Sequence, residues 1–267
     1  MRLTFLGTGS AFTLANYQTN ALIQFDDGQR LLIDCGGDAR HGLNNLGLNY
    51  KDIDAVYISH LHGDHIHGLE WLGFCRKFDP STARPKLFIS ETLVTPLWSN
   101  SLSGGMGSVQ GSPATLDTYF DVHPVGKNDS FYFGGHYFDL VQVVHIFDGY
   151  TIQPSFGLMF GGAKGIPRVF YTSDTQSNPN QMMDWYKEAE VVFHDCETTP
   201  FLSGVHSNYK ELMELPEEIR NKMFLTHYQD GAIETYKSAR EDGFQGFVLS
   251  LGSFDLKTLK LTATSYD

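Results

Sequence analysis

The six residues His60-Leu61-His62-Gly63-Asp64-His65 constrain this chain more than any other stretch of it. They follow an apolar run, Ala55–Ser59, that reads as a strand, and they precede a predicted helix, Ile66–Phe74. Histidines at i and i+2 leaving a strand end can both point at one ion. Asp64 and His65, turned back by the bend at Gly63, can point at a second. Neutral imidazole suits zinc and neighbouring first-row metals, and a carboxylate adds the charge that holds a dication. Chance yields this pattern in roughly one in a thousand chains of such composition. His60, His62, Asp64 and His65 are therefore read as metal ligands and not as a polar loop.

The rest of the chain bounds the setting. With 267 residues, 41% of them hydrophobic and 19% charged, it has enough apolar surface for a large core and is no disordered tail. No internal repeat and no Pro- or Ser-rich linker divides it, so residues 1–267 read as one domain. No apolar run approaches the ~18 residues of a membrane span. Met1–Gly7 is too briefly apolar for a secretory signal and reads as a first strand. Three scattered cysteines (Cys35, Cys75, Cys196) without a CxxC pair fit a reducing, cytosolic compartment. Lysine plus arginine is 19 against 31 acids, a net charge of −12. Such a surface repels polyphosphate, so neither a long nucleic acid nor a membrane is expected as a partner. A small anionic substrate is compatible, because bound metal reverses the local field.

Strands are predicted at Arg2–Leu6, Ala21–Phe25, Arg30–Asp34, Ala55–Ser59, Lys86–Ile89, His136–Val144, Ser155–Phe160, Arg168–Thr172, Val191–His194, Lys222–Thr226 and Phe247–Leu251. Helices are predicted at Asp38–Leu46, Ile66–Phe74, Thr92–Asn100, Asn180–Lys187, Tyr209–Met213 and Ala232–Arg240. Ser101–Gly111 has four glycines and no apolar period, so it reads as a mobile loop. It is a surface connection, a lid whose Met106 closes over a substrate, or a loop that crosses to a second subunit.

HxHxDH after a strand resembles the metallo-β-lactamase superfamily. The resemblance implies an α/β fold, a four-layer αβ/βα sandwich with a metal site at one edge between two mixed sheets. It also implies further ligands downstream, and strand ends supply them: His145 after Val141–Val144, Asp174 after Val169–Ser173 as the carboxylate shared by both ions, and His227 after Met223–Thr226. The opening Thr4-Phe5-Leu6-Gly7-Thr8-Gly9-Ser10-Ala11 is similar to the phosphodiesterase branch, which includes the transfer-RNA 3′-processing endonucleases (tRNase Z). Asp34-Cys35-Gly36 matches that branch's Asp-Cys-Gly turn, with Asp34 orienting a ligand and Cys35 a buried apolar residue. His194 stands where the endonucleases have the histidine of His-Glu-Ala-Thr, though Asp195-Cys196-Glu197 departs from that segment. His206, in Gly204-Val205-His206-Ser207, resembles the family's His-Ser segment. His194 and His206 are thus candidates for the general acid. Asp64 is a candidate to orient the nucleophile or accept its proton. His41, His67, His123 and His136 fit no ligand pattern and are assigned to surface or packing.

The resemblance implies hydrolysis of a small phosphodiester, foremost a cyclic nucleotide, by a metal-activated hydroxide attacking phosphorus. Two divalent ions are implied, zinc first, with manganese or iron as alternatives. A homodimer is implied because phosphodiesterases of this superfamily are often dimers. Phe147, Trp71, Phe74 and Tyr228 are candidates to stack a base. Against transfer-RNA processing stand the acidic balance, the altered segment after His194, and no clear basic arm. Opening of a lactone, dehalogenation of an aromatic compound, and non-catalytic sequestration of a ligand are the remaining readings.

Overall fold

The apolar runs pair into two mixed sheets. The computed structural model describes residues 1–236 and 239–262. The first sheet takes β1 (Arg2–Gly7), β2 (Asn20–Gln24), β3 (Arg30–Ile33), β4 (Ala55–Ile58), β5 (Lys86–Ser90) and β6 (Asp121–Val125). The chain then builds the second sheet from β7 (Ser130–Phe133), β8 (His136–Phe147), β9 (Ile152–Phe160), β10 (Val169–Tyr171), β11 (Val191–Asp195), β12 (Met223–Thr226) and β13 (Gly246–Phe247). It returns to the first with β14 (Ser253–Asp255) and β15 (Lys260–Thr262). The spatial orders are β15-β14-β1-β2-β3-β4-β5-β6 and β13-β12-β11-β10-β9-β8-β7.

Between the sheets lies an aromatic core. Phe5 of β1 packs on Phe193 of β11 with ring centres 5.1 Å apart, and Phe88 of β5 stacks on Phe131 of β7 at 4.2 Å. Tyr57 of β4 donates its hydroxyl to the Phe156 carbonyl of β9 at 2.8 Å, which satisfies a polar group that burial would otherwise penalise. The outer face of the second sheet, with Val141, Met159, Phe170 and Val192, buries Met182 and Tyr186 of the helix Pro179–Glu188. The helices Ala39–Asn45 and Leu69–Phe78 send Leu43, Leu69 and Leu72 into the core of the first sheet. This is the expected four-layer αβ/βα sandwich.

The topology concentrates strand ends. β3, β4 and β5 run parallel to one another, as do β10, β11 and β12. Ligands of open α/β sheets bind beyond the carboxyl ends of such strands. Asp34, His60, Asp174, Asp195 and His227 all stand at or just past those ends.

Several expectations shift. The strand predicted to stop at Val144 runs on to Phe147. The predicted helix Thr92–Asn100 is an α-helix over Glu91–Pro96 and a π-helix over Leu97–Leu102. Ser101–Gly111 is not a loop: helical turns continue through Ser103–Met106, and Ser108–Val109 pairs with Ser112–Pro113. Leu102 and Met106 are buried there, and Tyr119 donates its hydroxyl to the Met106 carbonyl at 2.8 Å. Met106 is thus part of the core and does not close over a substrate. A Cβ on Gly73 would lie 2.7 Å from Met106 Cε, so the glycine makes room for this packing. Strands β6, β7, β14 and β15 were not foreseen. Of the predicted strand Phe247–Leu251 only Phe247 is in a strand, paired as Gly246–Phe247, and Leu251 takes a left-handed φ of 61°. The predicted helix Ala232–Arg240 is helical over Ala232–Thr235, and its residues 237 and 238 lie outside the described ones.

Candidate metal centre

Each donor reaches the centre by a local device. β4 ends at Ile58, and His60 and His62 leave it in extended backbone before the turn Gly63–Ile66 swings Asp64 and His65 inward. That turn rests on the Asp34-Cys35-Gly36 segment. The Cys35 amide donates to the His65 carbonyl and the Gly68 amide to the Cys35 carbonyl, both at 2.8 Å. A Cβ on Gly36 would lie 1.8 Å from the Asp64 carbonyl oxygen, so only glycine admits this approach. Cys35 is buried as expected, and burial raises its thiol pKa. His145 occupies a β-bulge: the register with β9 slips between Val144 and Ile146, which leaves His145 the unpaired residue. Bulges re-aim a side chain in this way beside active sites. Asp34, Ser173 and His227 have φ of 60°, 55° and 60°. Left-handed backbone costs a non-glycine residue roughly 1–2 kcal/mol and persists where surrounding contacts over-determine it.

The donors form three overlapping groups that share Asp174. One is His60, His62, His145 and Asp174; the second is Asp64, His65, Asp174 and His227; the third is Asp174, Asp195, His206 and His227; within each group all donor atoms lie within 4.8 Å of one another. Asp174 Oδ2 is 3.6 Å from His60 Nε2, 3.3 Å from His65 Nε2, 3.8 Å from His145 Nε2 and 3.4 Å from His227 Nε2. Asp64 Oδ2 is 3.1 Å from His65 Nε2 and 3.3 Å from His227 Nε2. Ligands held ~2.1 Å from a tetrahedral ion are spaced about 3.4 Å apart, so this cluster has the spacing of a coordination shell.

Tautomers agree. His145 Nδ1 donates to the Val205 carbonyl at 2.7 Å, and His65 Nδ1 to Asp34 Oδ2 at 2.8 Å. Ser59 spends its hydroxyl proton on Asp34, so its oxygen is left to accept from His60 Nδ1 at 3.0 Å. Each ring then turns an unprotonated Nε2 inward. His60 Nε2 and His65 Nε2 are buried and make no hydrogen bond. Orphaned buried nitrogens facing a carboxylate fit a divalent cation better than any protein partner among the described residues.

Electrostatics separate the imidazoles. Burial holds His60 and His62 below the usual histidine range and brings His145 down to about 4, which favours the neutral ligand form. For His65 and His227 burial pulls the same way, but adjacent carboxylates, Asp64 and Asp174 foremost for His65 and Asp174 for His227, override it and raise both. Protons gather there in the absence of a cation, and metal binding displaces such protons. Burial opposes ionisation of Asp64, yet His65 and His227 hold its carboxyl well below the usual range.

A family profile described as anti-Pycsar protein Apyc1 matches residues 1–253. The chain belongs to this family. It is 36% identical over 242 residues to the anti-Pycsar protein Apyc1 of Paenibacillus sp. (strain J14), covering 90% of this chain and 93% of that one. It is likewise 36% identical over 250 residues to the protein of that name from Bacillus phage 010DV004, covering 90% and 93%. Solved structures agree on the metallo-β-lactamase fold. A diphosphatase from the PhnP family superposes with a TM-score of 0.74 at 20% identity, covering 98% of this chain and 99% of that one. The metallo-β-lactamase fold protein YhfI from Bacillus subtilis gives 0.71 at 16% identity, covering 95% and 99%. The short form of human tRNase Z gives 0.69 at 18% identity, covering 96% and 99%.

Within this member of the family, the structure brings His60, His62, Asp64, His65, His145, Asp174 and His227 together and sets His206 beside them, its ring centre 4.8 Å from those of both His145 and His227. It does not bring His194. That ring is wholly buried on the far side of β11, accepting from the Tyr186 hydroxyl at Nε2 and donating from Nδ1 to the Asp195 carbonyl, both at 2.6 Å. Both nitrogens are spent on protein, so His194 holds the helix Pro179–Glu188 against the sheet. His194→Ala is expected to cost on the order of 3 kcal/mol in denaturant unfolding, with kcat per folded molecule changed less than about twofold. A large fall in kcat at native stability would return His194 to the chemistry.

Asp195 is the residue that sequence reasoning missed. Its Oδ2 accepts from His206 Nδ1 at 2.7 Å and from the Thr175 amide at 2.9 Å, and its Oδ1 lies 3.3 Å from His227 Nδ1. Burial opposes its charge, but His206 and His227 keep its carboxyl below the usual range. For His206, burial lowers the pKa and the Asp195 carboxylate more than restores it. Tyr228 is buried, accepting from Thr8 and donating to the Val248 carbonyl, so it stacks no base. Phe147 is exposed, and Trp71 and Phe74 line a neighbouring cavity.

Proposed function

We propose that the chain is a metal-dependent phosphodiesterase that opens a small cyclic nucleotide. One observation carries this reading: six imidazole and carboxylate donors gather on two sides of a seventh, Asp174, whose Oδ2 faces four of the imidazoles. His60, His62 and His145 would hold one divalent ion, and Asp64, His65 and His227 a second, with Asp174 common to both. Zinc suits this donor set best, and manganese and iron are compatible. Bound there, such ions supply Lewis acidity that offsets charge building on phosphoryl oxygens.

The protein's own groups supply the rest. Asp64, kept ionised by its histidine neighbours, accepts a hydrogen bond from the attacking water and orients it. Asp195 holds the Nδ1–H of His206 and raises the pKa of the ring, which favours the imidazolium, and the second proton of that cation, on Nε2, is the one passed to the leaving alkoxide. Asp34 keeps the His65 ring from turning. The anti-Pycsar name of the relatives is consistent with a cyclic-nucleotide substrate, and a net charge of −12 speaks against a long nucleic acid. The same reading includes a cytosolic homodimer; no helix among the described residues is long and apolar enough to cross a membrane.

The test is turnover by the purified, metal-loaded protein. 3′,5′-Cyclic nucleotides and bis-p-nitrophenyl phosphate should both be hydrolysed, and a chelator should stop both. Hydrolysis confined to a lactone panel, or to precursor transfer RNA, would overturn the reading.

A further inference from the structure

Two cavities open beside the donor cluster. The larger, about 710 Å³, has Arg40, Glu70 and Trp71 in its walls and none of the seven donor residues. The smaller, about 330 Å³, is walled on one side by His60, His62 and His145. Leu93, Pro96 and Pro154 give it apolar surface, and no Asp, Glu, Lys or Arg lines it. Its strongest polar groups away from the imidazoles are two carboxamides, Asn100 and Gln153. Both residues are exposed, and Asn100 lines both cavities from the π-helix Leu97–Leu102. Wide helical turns of this kind recur at functional sites.

A nucleobase is a flat apolar ring with donors and acceptors on its edge. An apolar wall with a few convergent, uncharged polar groups is its complement. We propose that Asn100 and Gln153 read the edge of the nucleobase while the phosphodiester lies against His60, His62 and His145. The inference rests on the cyclic-nucleotide reading of the same site. A carboxamide offers an acceptor and two donors on one rotatable head. The pair therefore accommodates both amino and oxo bases, and selectivity among bases is set by which end of each amide faces inward.

Asn100→Asp and Gln153→Glu keep shape and remove the donors. Full-length native protein and both variants are loaded with zinc, checked for metal content and melting temperature, and assayed with cyclic CMP and cyclic UMP. These substrates differ by amino for oxo on one edge. In at least one variant the ratio of kcat/KM between them should move about tenfold from the native ratio. Ratios within about twofold of native in both variants overturn the inference, since a base read by these amides feels the loss of their donors. If native protein cleaves bis-p-nitrophenyl phosphate but neither cyclic nucleotide, the substrate reading fails instead, so the two failures are distinct.

Discussion

Asp174→Ala is expected to strip the centre of metal and to lower kcat by at least about 10³. One oxygen of this carboxylate faces four imidazole nitrogens at 3.3–3.8 Å, from the first two donor groups. Burial alone would push Asp174 toward the neutral acid, yet His227 and His65 hold it far below the usual carboxylate range. Its removal deletes the donor common to all three groups and takes a negative charge from the place where the cations would sit. Loss of one fixed oxyanion donor costs 10²–10³ in other enzymes, and here the loss reaches every phosphoryl contact at once. The variant should bind less than about half the native metal by elemental analysis, because the shared donor is gone. It should also be inert toward bis-p-nitrophenyl phosphate. Native metal content with native turnover would show that Asp174 is not the shared donor.

How far the sequence discloses this centre depends on whether the donors are contiguous. His60 to His65 lie on one turn, and their spacing alone states the chemistry. His145 is readable as a residue after an apolar run, but not as a bulge, because the strand continues past it and only pairing with β9 shows the slipped register. Asp195 was missed for an instructive reason. Alternate residues of a strand face opposite sides. Val191 and Phe193 point into the core between the sheets, and Val192 points to the outer helix layer. That alternation places Asp195 with the donors and His194 with the helices. The resemblance drew attention to the histidine, and the period of two was the signal that would have corrected it. Ser101–Gly111 misled differently. Its glycines suggest a loop, while the buried residues Leu97, Leu102 and Met106 are spaced five and four apart, a rhythm that a π turn produces and a 3.6-residue period hides. The unforeseen strand β6 reads poorly because it is a polar edge carrying Pro124.

Asp195→Asn is expected to separate proton transfer from metal binding. Asp195 lies 3.3 Å from His227 Nδ1 without hydrogen-bond alignment, whereas its 2.7 Å bond to His206 Nδ1 is direct. The amide keeps the volume and one acceptor. It loses the charge that holds His206 upright, and the Thr175 amide competes for the oxygen that remains. His206 is then free to rotate or to place its proton on the other nitrogen. General acid–base groups contribute about 10²–10⁴ in rate, so kcat should fall by roughly that factor on cyclic nucleotides. The penalty should shrink on bis-p-nitrophenyl phosphate, whose phenolate leaves without a proton, while metal content stays near native. This pattern differs from that of Asp174→Ala, where both substrates and the metal are lost together. Equal losses on both substrates with the metal gone would make Asp195 a support of the ligands, and an unchanged kcat would remove His206 from the proton path.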